Sequence, residues 1–305
     1  MFDTYVGTTD GVVRLGEGAM DLSGETVSAL CVADGAVLAG TYGSGLFRRG
    51  DDGWERVDIA ASVFRFLSPG LGGLLAGTEP ARVFRSGDGG AAWEELDGIT
   101  AIEGHEDWFL PYSPRAGAAR NAFVVGDRVL VAAEVAGLLR SDDGGETWVC
   151  EPVVGDEDVH HITGDGDLLY ASLGSASLRV RGGQHGGIAR SRDGGRMWDK
   201  LETDYTRATL LVDDVVLAGP ALRVGRGGRI VVSSDGGDTW EPAGNGIEVP
   251  MPDMVELFVR DPDGDVWAIC SGGRLLRARP GEWSWSSVLP ADVTARSIAF
   301  ASRAA

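Results

Sequence analysis

Ser86-Gly87-Asp88-Gly89-Gly90-Ala91-Ala92-Trp93 recurs three times with little change. The copies are Ser141-Asp142-Asp143-Gly144-Gly145-Glu146-Thr147-Trp148, Ser191-Arg192-Asp193-Gly194-Gly195-Arg196-Met197-Trp198 and Ser233-Ser234-Asp235-Gly236-Gly237-Asp238-Thr239-Trp240. The shared pattern is S-x-D-G-G-x-x-W. A pattern that returns at one place in a repeat marks a supersecondary unit used many times. Each residue type has a physical task. The Asp carboxylate accepts from the backbone N–H groups that follow it and closes a tight turn. The paired glycines permit positive φ where the chain reverses. The Trp caps the turn with a large apolar ring whose N–H can still find an acceptor. Each box is therefore read as the corner of a β-hairpin.

Weaker copies flank the four. Asp51-Asp52-Gly53-Trp54 lacks the Ser and one Gly, and Pro280-Gly281-Glu282-Trp283 lacks the Asp. Between boxes the order is constant. An apolar strand A, such as Ser28-Ala29-Leu30-Cys31-Val32, leads through a short Asp/Gly turn to strand B. The B strands read Val37–Thr41, Leu74–Thr78, Val129–Ala133, Leu168–Ser172, Val215–Gly219 and Val266–Cys270, with small residues towards their ends. Strand C runs into the box and strand D starts at the Trp. The box Trp residues recur at intervals of about 40–55 residues against about 40–50 for a propeller blade, so the two longest intervals hold insertions.

Six repeats are complete, spanning about residues 25–292. The two ends supply a seventh, shared by about residues 1–24 and 293–303. Tyr5-Val6-Gly7-Thr8 reads as its B strand, Gly11–Leu15 as its C strand and Arg296–Phe300 as its A strand. The expected fold is all-β: one seven-bladed β-propeller domain over residues 1–305 with four-stranded blades. The last blade is closed by N- and C-terminal strands, which removes free sheet edges.

These boxes resemble those of the Asp-box, or bacterial neuraminidase repeat, β-propellers. That superfamily includes sialidases, sortilin-type receptors and photosystem assembly factors. The resemblance extends to longer bacterial and archaeal Asp-box proteins that carry an insertion like Trp108-Phe109-Leu110-Pro111. In such families the box is structural and lies away from the active site, so the resemblance implies a fold and no single activity.

The chain carries 46 acidic against 27 basic residues, a formal charge of −19, and Lys200 is its one lysine. Such a composition resembles that of salt-adapted proteins, where salt screens self-repulsion and carboxylates hold water. It argues against affinity for nucleic acid or anionic membranes. No apolar run approaches the length of a membrane helix, and the N-terminus reads as a strand with no leader pattern. Cys31, Cys150 and Cys270 are odd in number and widely spaced, without metal-type spacing. A cytoplasmic monomer without cofactor or metal is expected.

Strand order sorts the loops. The C–D corners with the boxes share one face with the short A–B turns, and every long insertion maps to the opposite face, where function is expected. Residues 97–121 hold His105, Trp108, Tyr112, Arg115 and Arg120. Residues 174–187 hold Arg179, Arg181 and His185, and residues 220–228 hold Arg223 and Arg226. The last two insertions contain no acidic residue, a local reversal of sign in an acidic chain. Arginine forks beside aromatics suit carboxylate, sulfate or phosphate groups and sugar rings. The alternative is that these arginines pair with carboxylates of other blades. His160 and His161 open the A strand of the fourth repeat, and His160 is expected at the ligand rim with Tyr205. Strand alternation would point the two histidines apart, against a shared metal.

Three functional readings stay open. A sialidase, by that family's pattern, needs an arginine triad with an Arg-Ile-Pro motif, and a Tyr nucleophile. No Arg-Ile-Pro occurs here, and nothing fixes Tyr42 or Tyr205 in that role. A glycoside hydrolase or lyase acting on an acidic glycan would use Glu79 and Glu134, which follow consecutive B strands, as its carboxylate pair. The alternative is that these two pair with Arg82 and with Arg115 or Arg120. The favoured reading is a non-catalytic binding propeller that recognises an anionic small molecule, a glycan or a protein segment on the face opposite the boxes.

Overall fold

The computed structural model describes residues 1–108, 117–174, 186–201 and 203–303. Seven antiparallel sheets form the blades of a seven-bladed β-propeller. Six keep four strands, and blade 5 carries an extra one, Arg226–Gly228, paired to its B strand. Blade 7 joins the two ends of the chain: strand A (Ala295–Ser302) pairs with strand B (Phe2–Thr8), which leads to Val12–Arg14 and Met20–Asp21. The B strands of blades 1–6 lie where the sequence places them. Their small residues Ala39, Ala76, Ala132, Ala171, Ala218 and Ala268 are all fully buried. Among the described residues no helix is long and apolar enough to cross a membrane.

The chain divides into two compact units. The first comprises residues 1–135, 139–150 and 293–305, with blades 7, 1 and 2 and most of blade 3. Between blades 1 and 2 its core packs Leu38, Leu46, Phe64, Leu74 and Phe84. The second comprises residues 136–138 and 151–292, with blades 4, 5 and 6. Its largest cluster packs Phe258, Val266, Trp283 and Trp285 against Leu217 and Ile230. The Trp285 indole donates to Ala243 O at 2.7 Å.

The four boxes close on the same hydrogen bonds. In the first, Ser86 Oγ donates to Asp88 Oδ1 (2.8 Å) and accepts from Gly90 N (2.9 Å), while Asp88 Oδ1 accepts from Ala91 N and Ala92 N. Both glycines of every box have φ between +71° and +100°. A Cβ on Gly90 would stand 2.2 Å from Leu38 Cδ2 of the preceding blade, so the box also serves as a seam between blades. Trp93, Trp148 and Trp198 donate to the carbonyl of the second box glycine at 2.8–3.1 Å. The Trp240 indole N–H has no such partner. Cys31 and Cys270 are buried as small apolar residues, and burial pushes their thiols up to about 11 and about 12.

Candidate functional site

Each A strand carries a β-bulge near its first residues, on the end opposite the boxes. A bulge leaves one residue out of the ladder and re-aims its side chain. The residues set out of register are Ser28, Arg65, Arg120 and Arg296 in the first unit, and His160, Glu256 and the Arg207–Ala208 step in the second. A polar or charged group is thus lifted from an otherwise apolar strand in blade after blade.

In the first unit the bulge arginines take the carboxylates that end the B strands. Arg65 pairs with Glu79, and Arg120 pairs with Glu134 at 3.1 Å; each pair is 14 residues apart. Both glutamates are 4% exposed. Arg65 also lies 5.0 Å from the ring centroid of Tyr42, which is half exposed. Arg82 grips Glu95, so Glu79 takes Arg65 in its place. His105 Nε2 lies 2.9 Å from Ala81 O, and its ring packs on Trp108 with centroids 4.8 Å apart. Arg296 is exposed, and among the described residues no hydrogen bond or ion pair engages its side chain.

In the second unit Tyr205, Arg207 and Glu256 interlock. Arg207 Nε donates to the Tyr205 hydroxyl (2.7 Å), and its Nη1 donates to both Glu256 oxygens (3.0 and 3.1 Å). Burial disfavours charge on Arg207, but the Glu256 carboxylate and the Tyr205 hydroxyl together outweigh it and raise the guanidinium pKa. Burial pushes the Tyr205 phenol up to about 12, against the pull of Arg207. That is the reverse of what a tyrosine nucleophile needs. His160 is 4% exposed, and its ring meets Tyr205 edge-on at 6.4 Å. The bulge at His160 breaks the alternation expected for His160-His161.

Arg223 and Arg226 stand directly opposite each other on the blade 5 ribbon, across a two-residue turn with Gly225 at φ +72°. Both are exposed, and among the described residues no carboxylate pairs with either. Leu222 (69% exposed) and Val224 flank them. Tyr112, Arg115, Arg179, Arg181 and His185 lie outside the described residues. Sequence reasoning missed Arg65, Glu256, Ser28 and Arg296; the signal was a polar residue second in these four apolar A strands, as in Phe64-Arg65-Phe66 and Val255-Glu256-Leu257.

No family model and no curated protein sequence matches this chain. Its fold is similar to that of solved propellers. A GH74 xyloglucanase of Xanthomonas campestris superposes with a TM-score of 0.66 at 17% identity, over 98% of this chain and 52% of the enzyme. The chain thus spans about half the length of that relative. YCF48 of Cyanidioschyzon merolae matches with a TM-score of 0.51 at 16% identity, over 77% of this chain and 74% of its own. The computationally designed Ika8 protein matches at 0.55 and 13% identity, over 85% and 73%. The architecture is a β-propeller like theirs. An enzyme and a designed protein share it, so the likeness carries no activity.

Proposed function

We propose that this chain is a non-catalytic recognition propeller that binds an oxyanion-bearing ligand, a protein segment or a glycan, on the face opposite the boxes. The observation that carries the reading is the opposed, exposed Arg223 and Arg226, which no carboxylate pairs with among the described residues. Like charges directly across a ribbon repel, and an acidic chain offers many carboxylates that could neutralise them. An oxyanion between the two guanidiniums relieves the repulsion with charge-assisted hydrogen bonds. Leu222 and Val224 add apolar surface beside it. The groups suited to acid–base chemistry are committed elsewhere: Glu79, Glu134 and Glu256 each hold an arginine. The composition supports a salt-adapted cytoplasmic protein as part of the same reading.

Isothermal titration with oligogalacturonate, inorganic phosphate and an acidic peptide tests it. Saturable binding that weakens about ten-fold or more in the Arg223→Gln/Arg226→Gln double variant is expected. Binding that ignores both substitutions overturns it. Turnover of oligogalacturonate that Glu134→Gln abolishes replaces it with the hydrolase or lyase reading.

A further inference from the structure

We propose that Asp158 and His160, at the entry of the blade 4 A strand, are two ligands of a zinc-type divalent metal site. The argument starts from polar atoms left without partners. His160 has a side chain 1% exposed, and among the described residues neither ring nitrogen makes a hydrogen bond. Asp158 Oδ1 is buried and without a hydrogen bond there as well. Leaving a buried polar group unpaired costs about 1–3 kcal/mol, and native structures explain such groups by a water, an ion or a catalytic role.

The two orphan atoms face each other. His160 Nε2 lies 3.4 Å from Asp158 Oδ1, a separation at which the pair makes no hydrogen bond. It is the separation expected between two ligands of one metal. Bonds of about 2.0–2.1 Å to imidazole nitrogen and carboxylate oxygen, opened to a tetrahedral angle, put the ligand atoms about 3.4 Å apart. The nitrogen–oxygen pair suits zinc and its first-row neighbours, whereas magnesium and calcium prefer all-oxygen shells.

The surroundings hold both ligands. A Cβ on Gly174 would stand 2.0 Å from both Nε2 and Cδ2 of His160, so only a glycine lets the backbone pack against the ring and fix it. The Asp158 backbone is pinned on both sides: its N–H donates to Asp156 Oδ1 (2.9 Å) and its carbonyl accepts from Gly174 N (2.8 Å). The bulge turns His160 out of the ladder towards this corner. Two protein ligands leave the remaining coordination positions for water or an incoming ligand.

The test is zinc titration of chelator-treated protein by calorimetry, with metal counted after dialysis and magnesium and calcium as controls. One zinc per chain is expected, with neither control competing. Asp158→Asn and His160→Gln should each weaken zinc binding about ten-fold or more. Histidine nitrogen NMR should show one imidazole shifting with zinc in the parent and lost in His160→Gln. Should His160→Gln fail to fold, Asp158→Asn, at a partly exposed position, decides alone. Zinc binding that is absent, or unchanged in Asp158→Asn, overturns the proposal. Neither variant touches Arg223 or Arg226, so this test and that of oxyanion binding fail separately.

Discussion

Replacing Tyr205 by Phe lowers the melting temperature by about 2–3 °C and removes a stability loss on the alkaline side. The hydroxyl accepts a 2.7 Å bond from Arg207 Nε, and the residue is 9% exposed. Without that oxygen a donor on a charged group loses its partner, which costs about 1.5–3 kcal/mol when fully buried. The Arg207 side chain is 20% exposed, so water offsets part and about 1–2 kcal/mol remains. The alkaline arm follows from burial, which holds the phenol near 12. A group whose folded pKa lies above its unfolded value of about 10 stabilises fully below that value, and the benefit goes as pH rises through the folded one. At about 1.4 kcal/mol per pKa unit, the parent loses about 3 kcal/mol between pH 10 and 12. Urea unfolding followed by tryptophan fluorescence at neutral and alkaline pH reads both arms, and absorbance near 295 nm reads the phenols directly. A Phe variant within about 0.5 kcal/mol of the parent, or all five tyrosines titrating near 10, refutes the reasoning.

Glu79→Gln strips Arg65 of its carboxylate and leaves a largely buried guanidinium whose Nε already lacks a partner. A loss of about 3 kcal/mol is expected in chemical denaturation, and unchanged stability would show the pair to be dispensable. Asp143 is held down to about 2, first by the Thr147 hydroxyl, then by its backbone N–H and by Ser141. Its folded pKa is depressed, so its contribution is full above pH about 4 and fades as pH falls towards 2. Asp143→Asn should flatten acid unfolding in that window, as read by tryptophan fluorescence; a curve parallel to the parent's contradicts this.

The fold was legible because its signals are local. Ser86, Asp88 and Gly90 bond to one another within five residues, so the sequence spells the turn out. The B strands announce themselves by apolar runs that end in small residues. Even the shared blade could be read, because Arg296–Phe300 supplied the one strand that the N-terminal repeat lacked. The site was less legible because a bulge belongs to the register between two strands and to neither alone. Arg65 sits in Phe64-Arg65-Phe66 like any polar residue on an apolar strand; pairing of Phe64 with Thr78 and Phe66 with Gly77 is what puts it out of the ladder. The same register brings Glu79 beside Arg65, where adjacency in sequence had suggested Arg82. His160 eluded the alternation rule for this reason too.

Blade 7 carries a consequence for biosynthesis. Its B strand Phe2–Thr8 is synthesised about 290 residues before its partner Ala295–Ser302, a long loop closure. Until then Phe2–Thr8 has one edge unpaired. Closure over so long a separation is intrinsically slow, and the open edge is exposed to aggregation in the interval. In the finished molecule the same ends are tied: Arg303 N donates to Met1 O at 3.1 Å, and the Arg303 guanidinium meets Asp3. A circular permutant that joined them and opened the chain at an exposed turn elsewhere would convert this closure into a hairpin between sequence neighbours.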